Sequence, residues 1–190
     1  MIVSSFYSQE ELKLIGFESI GKNVLISKFA RFYNASKIEI GNNVRIDDFC
    51  VLSGQIKLGS NIHISTYCAI YGDQGVEMED FTGLSPRCII FSSTDDFSGK
   101  FLISPTVPAK YTNVTGGKVL IKEYSQIGAG SIIMPNVTIN EGVAVGAMSF
   151  VKNDLEKWHI YVGVPVKKIK MRENECIKLA EIYLNITNNG

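Results

Sequence analysis

Residues 92–118 hold a run of groups able to handle a polar reactant. Ser92, Ser93, Thr94, Asp95 and Asp96 follow one another, and Ser85 lies just upstream in Gly83-Leu84-Ser85-Pro86-Arg87. A carboxylate such as Asp95 or Asp96 can accept a hydrogen bond from a nucleophile and orient it toward an electrophile, with the Ser85 hydroxyl as a second partner. The same string is good loop sequence, and serine before proline is common in turns, so a structural role stands beside the chemical one. Histidine, the commonest general base, is scarce: the chain has only His63 and His159. His63 follows Ile62 at an outward position, where it could line a substrate cleft or form a surface or subunit contact. His159 follows Trp158 outside the regular part of the sequence.

The frame that must hold these groups is a beat of six residues. Large apolar residues recur at Ile20, Ile26, Phe32 and Ile38, slip by two, and resume at Ile40, Ile46, Leu52, Leu58, Ile64, Ile70 and Val76. A second run reads Ile121, Ile127, Ile133, Ile139, Val145 and Val151. This period fits neither a helix nor a simple alternating strand; it is the mark of a parallel β-helix, a solenoid of short strands and turns. Four positions after each apolar residue stands a small or β-branched one: Val24, Ala30, Val44, Cys50, Ile56, Ile62, Cys68, then Ser125, Ser131, Val137, Val143 and Ser149. These are expected to fill the inner corners. Glycine often follows the apolar residue (Gly21, Gly41, Gly59, Gly128, Gly146), which suggests tight turns with positive φ. A β-sandwich with fortuitous spacing is the competing fold.

Coils are expected over 14–91 and 119–151, with residues 92–118 as an ordered excursion between them. Ser8 with Glu10-Glu11 suggests a short capped helix within residues 1–13. The tail from 172 to 184 carries Cys176, Ile177, Ala180, Tyr183 and Leu184 at helical spacing and reads as an amphipathic helix, packed on the last coils or on a neighbouring subunit. The division is therefore a β-helix domain over 1–170 and a helical tail over 171–190.

The 190 residues carry 19 basic and 19 acidic side chains, so no charged field points to nucleic acid or an anionic membrane. No apolar run approaches membrane length and no signal-peptide pattern opens the chain, so a cytoplasmic location is expected. Cys50, Cys68, Cys88 and Cys176 form no Cys-x-x-Cys pair and read as small hydrophobes.

Three stretches carry a family resemblance. Ile127-Gly128-Ala129-Gly130-Ser131-Ile132-Ile133-Met134-Pro135-Asn136-Val137-Thr138-Ile139 resembles the acetyl-CoA-binding coils of hexapeptide-repeat transferases. Gly163-Val164-Pro165-Val166-Lys167 is similar to their closing Gly-x-Pro-Ala-Lys, with valine in place of alanine. The segment 92–99, with Pro105-Thr106-Val107-Pro108, resembles the branch that acylates amino sugars on a nucleotide, nearest the N-acyltransferases of dTDP-4-amino-4,6-dideoxyglucose.

The resemblance implies an all-β fold, a left-handed parallel β-helix of three hexads per coil. It also implies acetyl-CoA or another short acyl-CoA as donor, a nucleotide-linked amino sugar as acceptor, and a homotrimer with CoA between adjacent solenoids. Pantetheine would run along main-chain groups at Gly128, Ala129 and Ala147. Lys152, Lys167 and Lys168 could meet the CoA phosphates or form a solvated basic turn. Tyr33, Tyr71 and Phe97 could stack on a nucleotide base or simply staple coils. Neither histidine occupies the family's usual histidine motif, which favours an amine nucleophile over the hydroxyl of an O-acetyltransferase. The three-histidine zinc site of a γ-type carbonic anhydrase needs one histidine more than the chain has.

Overall fold

The computed structural model describes residues 5–188 and is a parallel β-helix with three faces. The first face stacks Ser19–Ile20, Ile38–Ile40, residues 56–58 and 76–78, Val119–Ile121 and Thr138–Ile139, ending on a bridge at Leu155. The second stacks Leu25–Ile26, Val44–Ile46, Ile62–Ile64, Gly83–Leu84, Gln126–Ile127, Ala144–Val145 and His159–Gly163. The third stacks Arg31–Tyr33, residues 51–53 and 69–71, Ile89–Phe91, Ile132–Ile133 and Phe150–Val151.

One apolar side chain per face enters the axis from each coil, half-buried at Ile20 and Phe32 of the first coil and buried above them, and registered pairs stack in columns. The second-face column is Ile26, Ile46, Ile64, Leu84, Ile127, Val145 and Tyr161, and none of these side chains is more than 6 % exposed. All twelve corner residues expected to point inward are buried. Each buried isoleucine or valine contributes about 2 kcal/mol, so the columns supply the driving force that such short strands lack.

Length varies at one edge only. From first face to second, and from second to third, the registered core residues are always six apart, as in Ile40, Ile46 and Leu52 or Ile121, Ile127 and Ile133. The passage from third face back to first absorbs every irregularity. The slip after Phe32 is a 3-10 turn at Ala35–Lys37 that brings Ile40, not Ile38, into register with Ile20. A second slip passed unnoticed in the sequence. Two extra residues near Asp73-Gln74 carry the beat from Ile70 to Met78, and it then continues through Leu84 and Ile90. The excursion 92–118 leaves from this same edge, and the final coil is shortened there, with Leu155 in register with Ile139.

The glycines after the apolar residues do not have positive φ; their role is close approach. A Cβ on Gly21 would lie 2.4 Å from the Gly41 oxygen, and one on Gly41 would lie 2.4 Å from the Gly59 oxygen. The left-handed conformation falls two residues later, at Asn23, Asn43, Asn61, Phe81, Tyr124 and Trp158. Asparagine tolerates that region because its side chain bonds locally. Here Asn23 donates to Asn43 (3.1 Å) and Asn43 to Asn61 (3.2 Å). Higher up, aromatic rings replace the amides: Phe81 stacks on Tyr124, and Tyr124 on Trp158, across Gly142.

Helix α1 (Gln9–Ile15) opens on the Ser8–Glu11 capping box and buries Leu12 against the first coil. After the last coil the chain folds back as an antiparallel hairpin, His159–Gly163 with Val166–Met171, which the periodicity did not signal. Helix α2 spans Cys176–Asn188, starting and ending four residues later than expected. It returns along the aromatic edge, with Tyr183 edge-on to Phe81. Arg172 anchors the approach by donating to the carbonyls of Tyr124 (2.7 Å) and Gly142 (3.0 Å).

The two kinds of glycine are expected to respond differently to alanine. Gly41→Ala forces two coils apart and costs about 3 kcal/mol. Gly16→Ala, at the left-handed C-cap of α1 with open space around it, costs about 1 kcal/mol. Urea unfolding of both variants measures this; equal midpoints would mean that turn dihedrals, not coil contact, select the inner glycines.

Candidate active site

The edge between second and third faces is built from six turns: 27–29, 47–49, 65–67, 85–87, 128–130 and 146–148. The third residue is left-handed from the second turn onward, as at Phe49, Tyr67, Arg87, Gly130 and Met148, so its side chain stands outward. In the lower coils these side chains form an exposed ladder. Phe29 packs at 5.7 Å from Phe49, Phe49 stacks at 5.0 Å on Tyr67, and Arg87 lies 5.9 Å over Tyr67. Above Arg87 the edge carries the small residues Gly128-Ala129-Gly130 and Gly146-Ala147, a shallow track beside the exposed Met148, whose Sδ lies 2.5 Å from where a Gly130 Cβ would stand.

Backbone bonds hold the track. Gly130 donates to Pro86 (2.9 Å), Gly128 to Val145 (2.8 Å) and Met148 to Ala129 (2.8 Å). Among the described residues, the amides of Ala129 and Ala147 have no intramolecular acceptor, so they are available to a ligand. Inside the track runs a column of small polar groups, each donating to a carbonyl of the coil above. Cys50 bonds Ser65 (3.1 Å), Cys68 bonds Ser85 (3.2 Å), Cys88 bonds Gly128 (3.2 Å) and Ser131 bonds Gly146 (3.1 Å).

Ser85 begins the track and is half-buried. Its Oγ accepts a hydrogen bond from Gln126 Nε2 at 3.2 Å. His63 lies one coil lower on the second face, in register with Gly83. Its Nε2 meets Asp47 Oδ2 at 2.7 Å, and Arg45 Nε meets the other oxygen of Asp47 at 2.7 Å. Partial burial raises the Asp47 carboxyl, but the bonds from Arg45 and His63 outweigh it and hold it below the ordinary carboxylate range. His159 is tied by Nδ1 to the Lys157 carbonyl (2.8 Å).

The excursion is rooted in the opposite edge of the third face. Buried Ser92 donates to Tyr71 O and accepts from Gln74 N, both at 2.9 Å, and Ser93–Thr94 pairs with Thr115–Gly116. Beyond this neck the two acids part in role. Asp96 accepts from Ser98 N (3.1 Å) and Ser98 Oγ (2.8 Å), which is turn chemistry. Among the described residues, no donor meets the Asp95 carboxylate, and Asp95 is exposed. Phe97, at 91 % exposure, heads a set of exposed apolar loop residues with Phe101, Leu102, Ile103 and Tyr111. At the neck, Thr94, Thr115, Met134, Pro135, Asn136, Phe150 and Lys152 line a cavity of about 400 Å³.

Comparison with known proteins now bears on this geometry. The bacterial transferase hexapeptide model (six repeats) matches residues 118–153. A dTDP-4-amino-4,6-dideoxy-D-glucose acyltransferase of Escherichia coli is 42% identical over 182 residues, covering 94% of this chain and 95% of its own. The chain belongs to this family of hexapeptide-repeat acyltransferases. Among solved structures, the N-acyltransferase AntD from Bacillus cereus, in complex with dTDP and 3-hydroxybutyryl-CoA, is 58% identical with a TM-score of 0.95, over 98% of this chain and 100% of that one. An AntD variant in complex with dTDP-4-amino-4,6-dideoxyglucose and coenzyme A is 57% identical with a TM-score of 0.94, over 97% and 99%. The AntD variants solved this way replace either a serine or an aspartate ten positions after it. Ser85 and Asp95 have that spacing.

Within the single chain of this acyltransferase the expected site residues fall into two groups. Ser85, Gly128, Ala129 and Ala147 share one edge, with His63 just below. Asp95, Asp96, Phe97 and Lys152 gather at the other edge, across a face on the order of 10 Å wide at about 3.3 Å per residue. Tyr33 and Tyr71 stand outward on the third face between them, with Tyr71 stacked on Phe91 at 5.3 Å. Lys167 is exposed on the terminal hairpin, whereas Lys168 is paired with Glu156 at 2.6 Å. Gln126, Arg45 and Asp47 escaped the sequence reading. Their outward positions in the hexads were the available signal, but only coil registration shows what they touch.

The Asp47 cluster predicts an acid-sensitive term in stability. Its folded-state carboxyl titrates below the unfolded value of about 3.9, so the contribution is full above that value and disappears as pH falls through the lower folded value. Native protein should exceed Asp47→Asn in urea resistance at pH 7, and the gap should narrow progressively as pH falls below about 3.9. A gap independent of pH would refute the assignment.

Proposed function

We propose that this protein transfers a short acyl group from acyl-CoA to the 4-amino group of dTDP-4-amino-4,6-dideoxyglucose, in surface polysaccharide or glycoprotein sugar synthesis. The observation that carries the reading is near-complete coverage by AntD, solved with that amino sugar nucleotide and CoA. The free Asp95 carboxylate and the small-residue track supply matching parts. The donor's pantetheine lies along Gly128, Ala129 and Ala147 and bonds the unused amides, ending with its thioester beside Ser85. The exposed Lys167, and Lys152 from the opposite edge of an adjoining copy, are the candidate cations for the CoA phosphates, and Lys168 is a weaker choice because Glu156 already engages it.

The amine needs no strong base, provided it arrives uncharged. Asp95 accepts one N–H and points the lone pair at the thioester carbon. Ser85 donates to the carbonyl oxygen as it gains charge, which is where a fixed dipole lowers the barrier most. The C–N bond forms, the C–S bond breaks, and the ammonium proton leaves with the departing sulfur as CoA thiol. The O-acetyltransferase alternative loses ground because the near-full-length relatives act on, or were solved with, an amino sugar nucleotide.

The working unit in this reading is a homotrimer. Ser85 and Asp95 stand on different edges of one solenoid, so the excursion of one copy must reach the serine edge of the next. Its exposed apolar residues and the exposed Phe29–Phe49–Tyr67 ladder are surfaces that association would cover. A cytoplasmic setting suits both substrates, and among the described residues no helix is long and apolar enough to cross a membrane.

Asp95→Asn should lower turnover roughly a hundredfold with CoA affinity unchanged, while Asp96→Asn acts mainly on loop stability. Thiol release with the amino sugar nucleotide measures this; native kinetics in Asp95→Asn would reject the role. The purified chain should sediment as three copies of 21.0 kDa, and a monomer would refute the shared site. Co-expressed Ser85→Ala and Asp95→Asn chains should recover about a quarter of native activity through random pairing of intact halves. No recovery would place both groups in one copy.

A further inference from the structure

The second face contains a gap beside Ser85. Its outward column runs Arg45, His63, Gly83, Gln126 and Ala144, so a residue without a side chain separates His63 from Gln126. Gln126 uses this space. Its amide folds down over Gly83, where a Cβ would lie 2.7 Å from Gln126 Oε1 and only 3.5 Å from Nε2. From there Nε2 reaches Ser85 Oγ at 3.2 Å.

We infer that Gln126 is a positioning residue that reserves the Ser85 proton for the substrate, and that Gly83 is the opening that lets it do so. An amide nitrogen has hydrogens but no lone pair to offer, so in this contact the serine oxygen must accept. Among the described residues, Ser85 Oγ has no acceptor in its own chain. The remaining O–H therefore points away from Gln126, toward the track, and accepting one hydrogen bond strengthens the one it donates. The inference rests on the role given to Ser85 above.

Two substitutions separate this from a packing role. Gln126→Ala leaves the hydroxyl free to rotate; Gln126→Glu keeps length and shape but offers only acceptors, which capture the serine proton. With dTDP-4-amino-4,6-dideoxyglucose and 3-hydroxybutyryl-CoA, kcat should fall about fivefold in Gln126→Ala and roughly thirtyfold in Gln126→Glu, with KM within about twofold of native. In a Ser85→Ala background both changes should alter kcat by less than about twofold. A packing role would rank the isosteric glutamate as the milder change, and that ranking, or native kcat in both variants, would overturn the inference while leaving Ser85 in place. Native kcat in Ser85→Ala alone would instead overturn the reading of the serine, and the role of Gln126 with it.

Discussion

Everything in this molecule depends on each coil lying in register on the one below. The backbone groups of such short strands find partners only in adjacent coils, so every coil must repeat nearly the same cross-section. That requirement fixes two edges at strict six-residue spacing and sends all length variation to the third. It also explains Gly21, Gly41 and Gly128, where adjacent turns nest too closely for a Cβ. The reactive parts follow from the same rule: the rigid serine edge offers a track, and the permissive edge offers a loop.

The polar interior of the serine edge is the counterpart of the apolar axis. Turn carbonyls that face inward must be satisfied, and thiols and hydroxyls from the coil beneath do so along four levels, from Cys50 to Ser131, while Ser149 donates to Gly146 within its own turn. A methyl group at these corners would leave carbonyls unpaired, and a larger side chain would spread the coils. On the edge where asparagines and aromatics close the turns the corners are mixed: Val24, Val44 and Val143 are apolar, while buried Thr82 and Ser125 donate to the carbonyls of Glu79 and Asn140.

Much of the fold was legible because period and packing coincide. The hexads located the inward positions, the small corner residues and the break at 92–118. Illegible features were those where geometry is set across coils. The slip at Asp73-Gln74 was hidden because Val76 continued the beat although Met78 holds the register. The last coil was missed because Val151 and Leu155 stand four apart, and the closing hairpin has no hexad at all. In the site, the serine and acids were visible as residue types. What distinguishes Asp95 from Asp96 is one bond set to Ser98, and what touches Ser85 comes from 41 residues downstream, beyond an excursion of unpredictable course.

The track has a further property that comes from its construction. Above Ser85 it rises through the turns at Gly128 and Gly146 to the hairpin strand at His159–Gly163, three coil steps in all. Each step is about 4.8 Å, and no fraction of a step is available to a registered solenoid. The edge is thus a ruler with whole-number graduations. Any change in the separation between Ser85 and the cationic hairpin requires the gain or loss of an entire coil, so selection can choose that length only in discrete jumps.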